Sequence, residues 1–200
     1  MKLPSDWNDI PPADESKTNM PPDAYVVKIY AAEITNGRIQ FKLDINDGEF
    51  KDYFSEDWKK RMEYSKNGNV FWRLNYSVPV DFDDVNHGYF FKRLFKRFVN
   101  TLEASNKNFK CPMSFDPTVF VGKIFVALID MKEKQSSDGF KVYQNYYVRR
   151  EYTLKQLANG EIPTAEIEDV NGNRRKVGEE PPPKDPNNDS EMLDDVDIPF

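Results

Sequence analysis

Asn36-Gly37 constrains this chain more than any other pair of residues. A two-residue hairpin turn of the primed kind needs two successive left-handed residues, and Asn-Gly is the pair that adopts them most readily. Its flanks agree: Tyr25 to Ile34 is rich in β-formers, and Arg38 to Ile45 alternates strictly. Side chains point to opposite faces at every step of a strand, so Ile39, Phe41, Leu43 and Ile45 form one apolar face and Arg38, Gln40, Lys42 and Asp44 the other. The hairpin is therefore expected to lay one face on a core.

The remaining elements follow from changes in period. Residues 46–69 form a long connection rich in rings and charges, with room for a short helix. Val70 to Val78 reads as a third strand, with Trp72, Leu74, Tyr76 and Val78 inward and Phe71 and Arg73 outward, until Pro79 stops it. From Asn86 to Ser105 the apolar residues Phe91, Leu94, Phe95, Phe98 and Leu102 recur at helical spacing, with Lys92, Arg93, Lys96 and Arg97 on other faces. Val119 to Met131 is apolar on both faces, as a central strand would be, and Ser136 to Gly139 turns it into a last strand from Phe140 to Tyr152. A helical turn spans Thr153 to Asn159.

Strand, strand, strand, helix, strand, strand is the order of an OB-fold, a five-stranded barrel with a helix between strands three and four. Another small α+β sheet has the same order of elements. The expected class is mainly β, with residues 1–23 as a Pro-rich extended arm in which only Trp7 and Ile10 look able to dock. Residues 24–159 form the domain, 160–190 a disordered acidic linker and 191–200 a terminal interaction segment.

Charge divides along the same boundary. Residues 160–200 hold 12 Asp or Glu against 4 Lys or Arg, whereas residues 1–159 hold 22 against 24. A mildly basic body with an acidic tail suggests an anionic partner for the body and a different partner for the tail. The single cysteine, Cys111, excludes an intramolecular disulfide, and the single histidine, His87, leaves no Cys/His metal cluster to build. No apolar run approaches the roughly 20 residues that cross a bilayer, so a soluble, intracellular protein without cofactor or metal is expected.

Chemistry concentrates on the last strand. Lys141, Tyr143, Asn145, Tyr147 and Arg149 fall at every second residue and share a face, interleaving rings with cations. Unpaired nucleic acid needs that combination, because cations attract phosphates and flat rings stack bases for about 1–3 kcal/mol each. Phe71 and Arg73 extend the surface, Lys42, Lys96 and Arg97 add charge, and Tyr53 and Trp58 in the long connection are candidates for a flap. The same tyrosines would alternatively pack beneath the long connection or the N-terminal arm. Asp44, Asp47, Glu49 and Lys51 resemble a fragment of a metal-dependent nuclease site, but this spacing is common near strand ends. Gly122-Lys123 lacks the rest of a phosphate-binding loop, and His87 has no catalytic partners in view, so no enzymatic activity is expected.

The chain ends Asp194-Asp195-Val196-Asp197-Ile198-Pro199-Phe200. Phe200 suits an apolar pocket, its carboxylate suits an Arg or Lys, and the aspartates speed encounter with a basic surface. This tip resembles that of bacterial and phage single-stranded DNA-binding proteins. The body resembles a family of bacteriophage single-stranded DNA-binding proteins over most of residues 7–165. The matching segments are Tyr25-Val26-Val27-Lys28-Ile29, residues 47–53, Phe95-Lys96-Arg97-Phe98 with Glu103-Ala104-Ser105-Asn106, Gly122-Lys123 and residues 159–163. The neutral Val196 is a departure from the acidic run. The resemblance implies an OB-fold body that coats single-stranded DNA in the cytoplasm of a bacterial host cell. It also implies a tip (Asp194, Asp195, Asp197, Ile198, Pro199, Phe200) that recruits replication, recombination or repair proteins. A protein-binding adaptor is the main alternative, and a Mg²⁺-dependent nuclease a distant third.

Overall fold

The computed structural model describes residues 19–65, 67–137, 139–140 and 142–180. Trp7, Ile10, Lys141 and the tip from Asp194 to Phe200 lie outside the described residues. The chain is mainly β: strands β1 (Ala24–Thr35), β2 (Arg38–Ile45), β3 (Asn75–Pro79), β4 (Ile124–Gln135), β5 (Val142–Tyr152), β6 (Glu166–Glu168) and β7 (Arg174–Lys176) belong to one sheet. Among the described residues three α-helices accompany it, α1 (Tyr53–Tyr64), α2 (Gly88–Ser105) and α3 (Leu154–Ala158).

The β1–β2 hairpin forms where expected, with Asn36 at φ 52° and Gly37 at φ 68°. Its register runs from Thr35 opposite Arg38 to Val27 opposite Ile45, and Ile39, Phe41, Leu43 and Ile45 are all fully buried. Between Ile29 and Ala31 the ladder slips by one residue, leaving Tyr30 as the extra residue of a bulge.

β4 is the centre of the sheet. One of its edges carries β5 in an antiparallel hairpin; the other carries β1 from Ile124 to Leu128 and then β6 in parallel at Met131 and Lys132. Among the described residues the sheet therefore has seven strands rather than the expected five, and no backbone ladder joins β3 to β5 to close it.

Residues 160–180, expected to begin a disordered linker, instead contain the β6–β7 hairpin. Buried Ala165 and Ile167 dock it, and opposite charges face each other across it, Glu166 with Lys176 and Glu168 with Arg174. Lys132 on β4 pairs with Glu168, and Arg174 reaches the same carboxylate at 3.1 Å.

Two strand boundaries also shift. The third strand starts at Asn75, not Val70, although Trp72 and Leu74 are buried and Phe71 and Arg73 exposed as the alternation predicts. Asp116-Pro117 starts a 3₁₀ turn over Pro117–Phe120, and Gly122 at φ 79° redirects the chain, so β4 begins at Ile124 rather than Val119.

α2 packs Phe98 and Leu102 into the core, where Phe98 meets Phe41 at 4.9 Å and Phe120 at 5.7 Å between ring centroids. Its start requires glycine, because a Cβ on Gly88 would lie 2.4 Å from the carbonyl oxygen of Phe82. Its end is tied to β4 by Asn106, which donates to the carbonyls of Leu102 and Ile124 and accepts from the Ile124 amide. Among the described residues no helix is long and apolar enough to cross a membrane.

Candidate nucleic-acid interface

α1 lacks a cap from its own preceding residue. Asp44, at the end of β2, supplies one by accepting from the amides of Phe54 at 3.0 Å and Ser55 at 3.1 Å, two of the donors a helix start leaves unpaired. Asp44 also accepts from its neighbour Ile45 and is buried. The first carboxylate of the nuclease-like run is thus committed to backbone amides, and among the described residues no group of three or more His, Cys, Asp or Glu is placed to hold a metal ion.

Capped in this way, α1 braces residues 70–73. Trp58 Nε1 donates to the Val70 carbonyl at 3.1 Å, Arg61 donates to the Phe71 carbonyl at 2.9 Å, and the Arg61 guanidinium lies over the Phe71 ring at 5.2 Å. Asp57 pairs with Arg61 at 2.8 Å and with Arg73 at 3.2 Å. These bonds to a helix replace strand ladder bonds, which accounts for the late start of β3. Phe71 and Arg73 are held outward as a result.

Opposite them stands the end of the β4–β5 hairpin, and between the two runs an open cleft of about 840 Å³. Phe71, Arg73, Tyr143 and Asn145 line it, together with Tyr53, Glu133 and Lys134. Phe71 is 72% exposed and Tyr143 52%, so both present ring surface to an incoming ligand. The back of the cleft is rigid: Tyr146 is buried, stands edge-on to Tyr53 and Phe54, and donates to the Met20 carbonyl at 2.7 Å. Burial and the neighbouring Tyr53 hold the Tyr146 hydroxyl in its protonated, donating form.

The structure divides the face read from the last strand. Tyr143 and Asn145 reach the cleft; Tyr147 and Arg149 do not. The β4–β5 register slips between Leu128 and Ile129, making Arg149 the extra residue of a second bulge. Its guanidinium lies across β4, pairing with buried Asp130 at 3.1 Å and with Glu166, and donating to the Thr164 carbonyl at 2.7 Å. Tyr147 is half-buried, and its hydroxyl is pushed above its ordinary range by burial and by Asp130. Sequence periodicity did not anticipate the β6 side chains on this part of the face.

The other expected residues scatter. Trp58 is half-buried as part of the brace and lies 6.2 Å from Trp72. Lys42 is exposed on β2 opposite Ala31, beside the Tyr30 bulge. Lys96 and Arg97 lie on α2 beside a separate groove of about 520 Å³. Arg97 is pinned there by Glu151, with Nε 2.5 Å from Oε1.

One ring was missed by the sequence reading. Tyr30, 47% exposed, stacks on Trp72 with ring centroids 4.7 Å apart and planes 25° apart. The bulge that turns it outward has no local sequence signature, but its neighbours Ile29 and Ala31 alternate with it across the strand.

Scans against protein-family models, curated proteins and solved structures return no match.

Proposed function

We propose that this chain is a sequence-tolerant single-stranded DNA-binding protein whose body coats unpaired DNA and whose acidic tip recruits replication, recombination or repair proteins. The observation that carries the reading is the cleft that the exposed rings Phe71 and Tyr143 line together with Arg73. Rings on opposite walls accept bases of any identity, and the guanidinium meets a phosphate, so affinity does not depend on reading base edges. Tyr30, stacked on Trp72, offers a further platform next to Lys42.

An OB-type body is part of the proposal. β1 pairs with both β2 and β4, and α2 falls between β3 and β4, as in that fold. Where such a barrel closes, between the third and fifth strands, the Tyr76 hydroxyl donates to Glu151 at 2.6 Å. On this view β6 and β7 are additions. The tip, with an apolar anchor behind aspartates, gives an electrostatically steered plug for basic pockets on partner proteins. A protein of this kind works in the cytoplasm of a bacterial cell.

Fluorescence titration with oligothymidylate tests the reading, Trp72 and Trp58 serving as reporters. The expected result is binding whose log affinity falls with log salt at about −0.7 per contacted phosphate. Replacing Phe71, Arg73 and Tyr143 together by alanine should weaken binding by two orders of magnitude or more, since each stacking ring contributes about 1–3 kcal/mol. No binding, or a salt-independent isotherm, would overturn the reading in favour of a protein-binding adaptor.

A further inference from the structure

We infer that the outer stripe of α2 is a second length of single-strand track, continuous with the cleft by way of β5. The inference rests on the single-strand reading above and adds a separate site to it. At about 100° per residue, Tyr89, Arg93, Lys96 and Asn100 fall within a narrow stripe, opposite the face that buries Phe98 and Leu102. Tyr89 is 77% exposed, and Arg93, Lys96 and Asn100 are exposed as well. The stripe repeats the ring-and-cation composition of the cleft, which suits an unpaired strand better than an acidic protein, because a ring beside cations gives a base something to stack on.

No acid lies on the stripe itself. Glu103 is the only acid on α2, and it is engaged by Lys110 at 2.8 Å and by the Cys111 amide. Among the described residues neither Arg93 nor Lys96 has a carboxylate partner. Together with Arg97 and Thr153 they border the groove of about 520 Å³. Glu151 holds Arg97 at the edge of that groove, so the groove has a fixed wall rather than a spray of mobile side chains.

Continuity comes from β5. Asn145 lines the cleft, and Thr153, which lines the groove, follows the last residue of the strand. From Asn145 to Glu151 the strand covers about 20 Å, and the stripe from Tyr89 to Asn100 adds about 16 Å. Among the described residues β5 pairs only with β4, so its other edge leaves a strand a way from the cleft to the groove that does not use the Tyr147 or Arg149 side chains.

The test uses the full chain and two oligothymidylates, one of about 5 and one of about 20 nucleotides, bracketing the roughly 4–16 that an OB-type body covers. Arg93→Gln with Lys96→Gln should leave the short oligonucleotide's affinity unchanged, weaken the long one about tenfold, and reduce its salt slope by about 1.4. Tyr89→Ala should weaken the long one without changing the slope. An unchanged long-strand isotherm in both variants, or equal weakening of both lengths, would overturn the second track. Failure of the unsubstituted chain to bind either length would instead overturn the single-strand reading itself. Unchanged thermal midpoints confirm that these exposed substitutions leave the fold intact.

Discussion

The Tyr76 hydroxyl on β3 donates to the Glu151 carboxylate on β5 at 2.6 Å, although the two residues are 75 positions apart. The Glu151 side chain is fully buried and also takes the Arg97 guanidinium. Three elements, β3, β5 and α2, therefore meet on one carboxylate, and burial and the adjacent Glu151 keep the Tyr76 phenol protonated far into the alkaline range. A hydrogen bond to a charged group contributes about 1.5–3 kcal/mol. Tyr76→Phe should lower the unfolding free energy by about 2 kcal/mol, read from the denaturant midpoint at unchanged slope.

Arg149 is expected to matter for stability and not for DNA. Arg149→Met leaves buried Asp130 without its counter-ion, and breaking a buried pair from one side costs about 3–5 kcal/mol. The variant should unfold at a lower denaturant concentration while binding oligothymidylate with native affinity under folding conditions. A loss of affinity in the intact variant would return Arg149 to the binding face.

Asp57 holds Arg73 at 3.2 Å and competes with phosphate for it. Both side chains are partly exposed, so the pair contributes about 0.2–1 kcal/mol. Asp57→Asn should tighten single-strand binding about two- to fivefold at low salt, in a fluorescence anisotropy titration. Weaker binding would show that Asp57 chiefly orients Arg73 rather than opposing its contact with the ligand.

Acid should loosen the β6–β7 hairpin first. Hydrogen bonding from Lys132, with help from Arg174, holds the Glu168 carboxyl below its ordinary value of 4.5. A depressed carboxyl adds stability above its unfolded pKa and loses it as pH falls through the folded one. Asp130 works in the opposite sense, because burial raises its pKa and protonation relieves that cost. Below about pH 4.5 the amides of Arg174–Lys176 should therefore lose hydrogen-exchange protection before those of β4 do. Simultaneous loss along both strands would refute a separate hairpin.

Much of the fold was legible because it depends on local signals. Asn36-Gly37 specifies its own turn, and the alternation of Ile39, Phe41, Leu43 and Ile45 specifies which face is buried. The helical spacing of Phe98 and Leu102 does the same for α2. β6 and β7 were not legible: each has three residues, Ile167 is their only large apolar side chain, and their hold on the sheet comes from Lys132, Asp130 and Arg149, distant in sequence. A trace was present nonetheless, since Glu166 and Glu168 mirror Lys176 and Arg174 about the Asn171-Gly172 turn.

The candidate site was half legible for the same reason. Phe71, Arg73, Tyr143 and Asn145 follow from period-two alternation and arrive together. Tyr30 and Arg149 are each displaced by a one-residue slip that no local pattern announces, one gaining an outward platform and the other an ion-pair network.

Met20 is sealed in the core and its carbonyl receives the Tyr146 hydroxyl, while Asn19 sits on the rim of the cleft. The chain therefore enters the described fold at the rim of the cleft. Entry of the chain into the fold and the closed end of the cleft are thus secured at one residue, so a substitution that unseats Met20 should disturb both together.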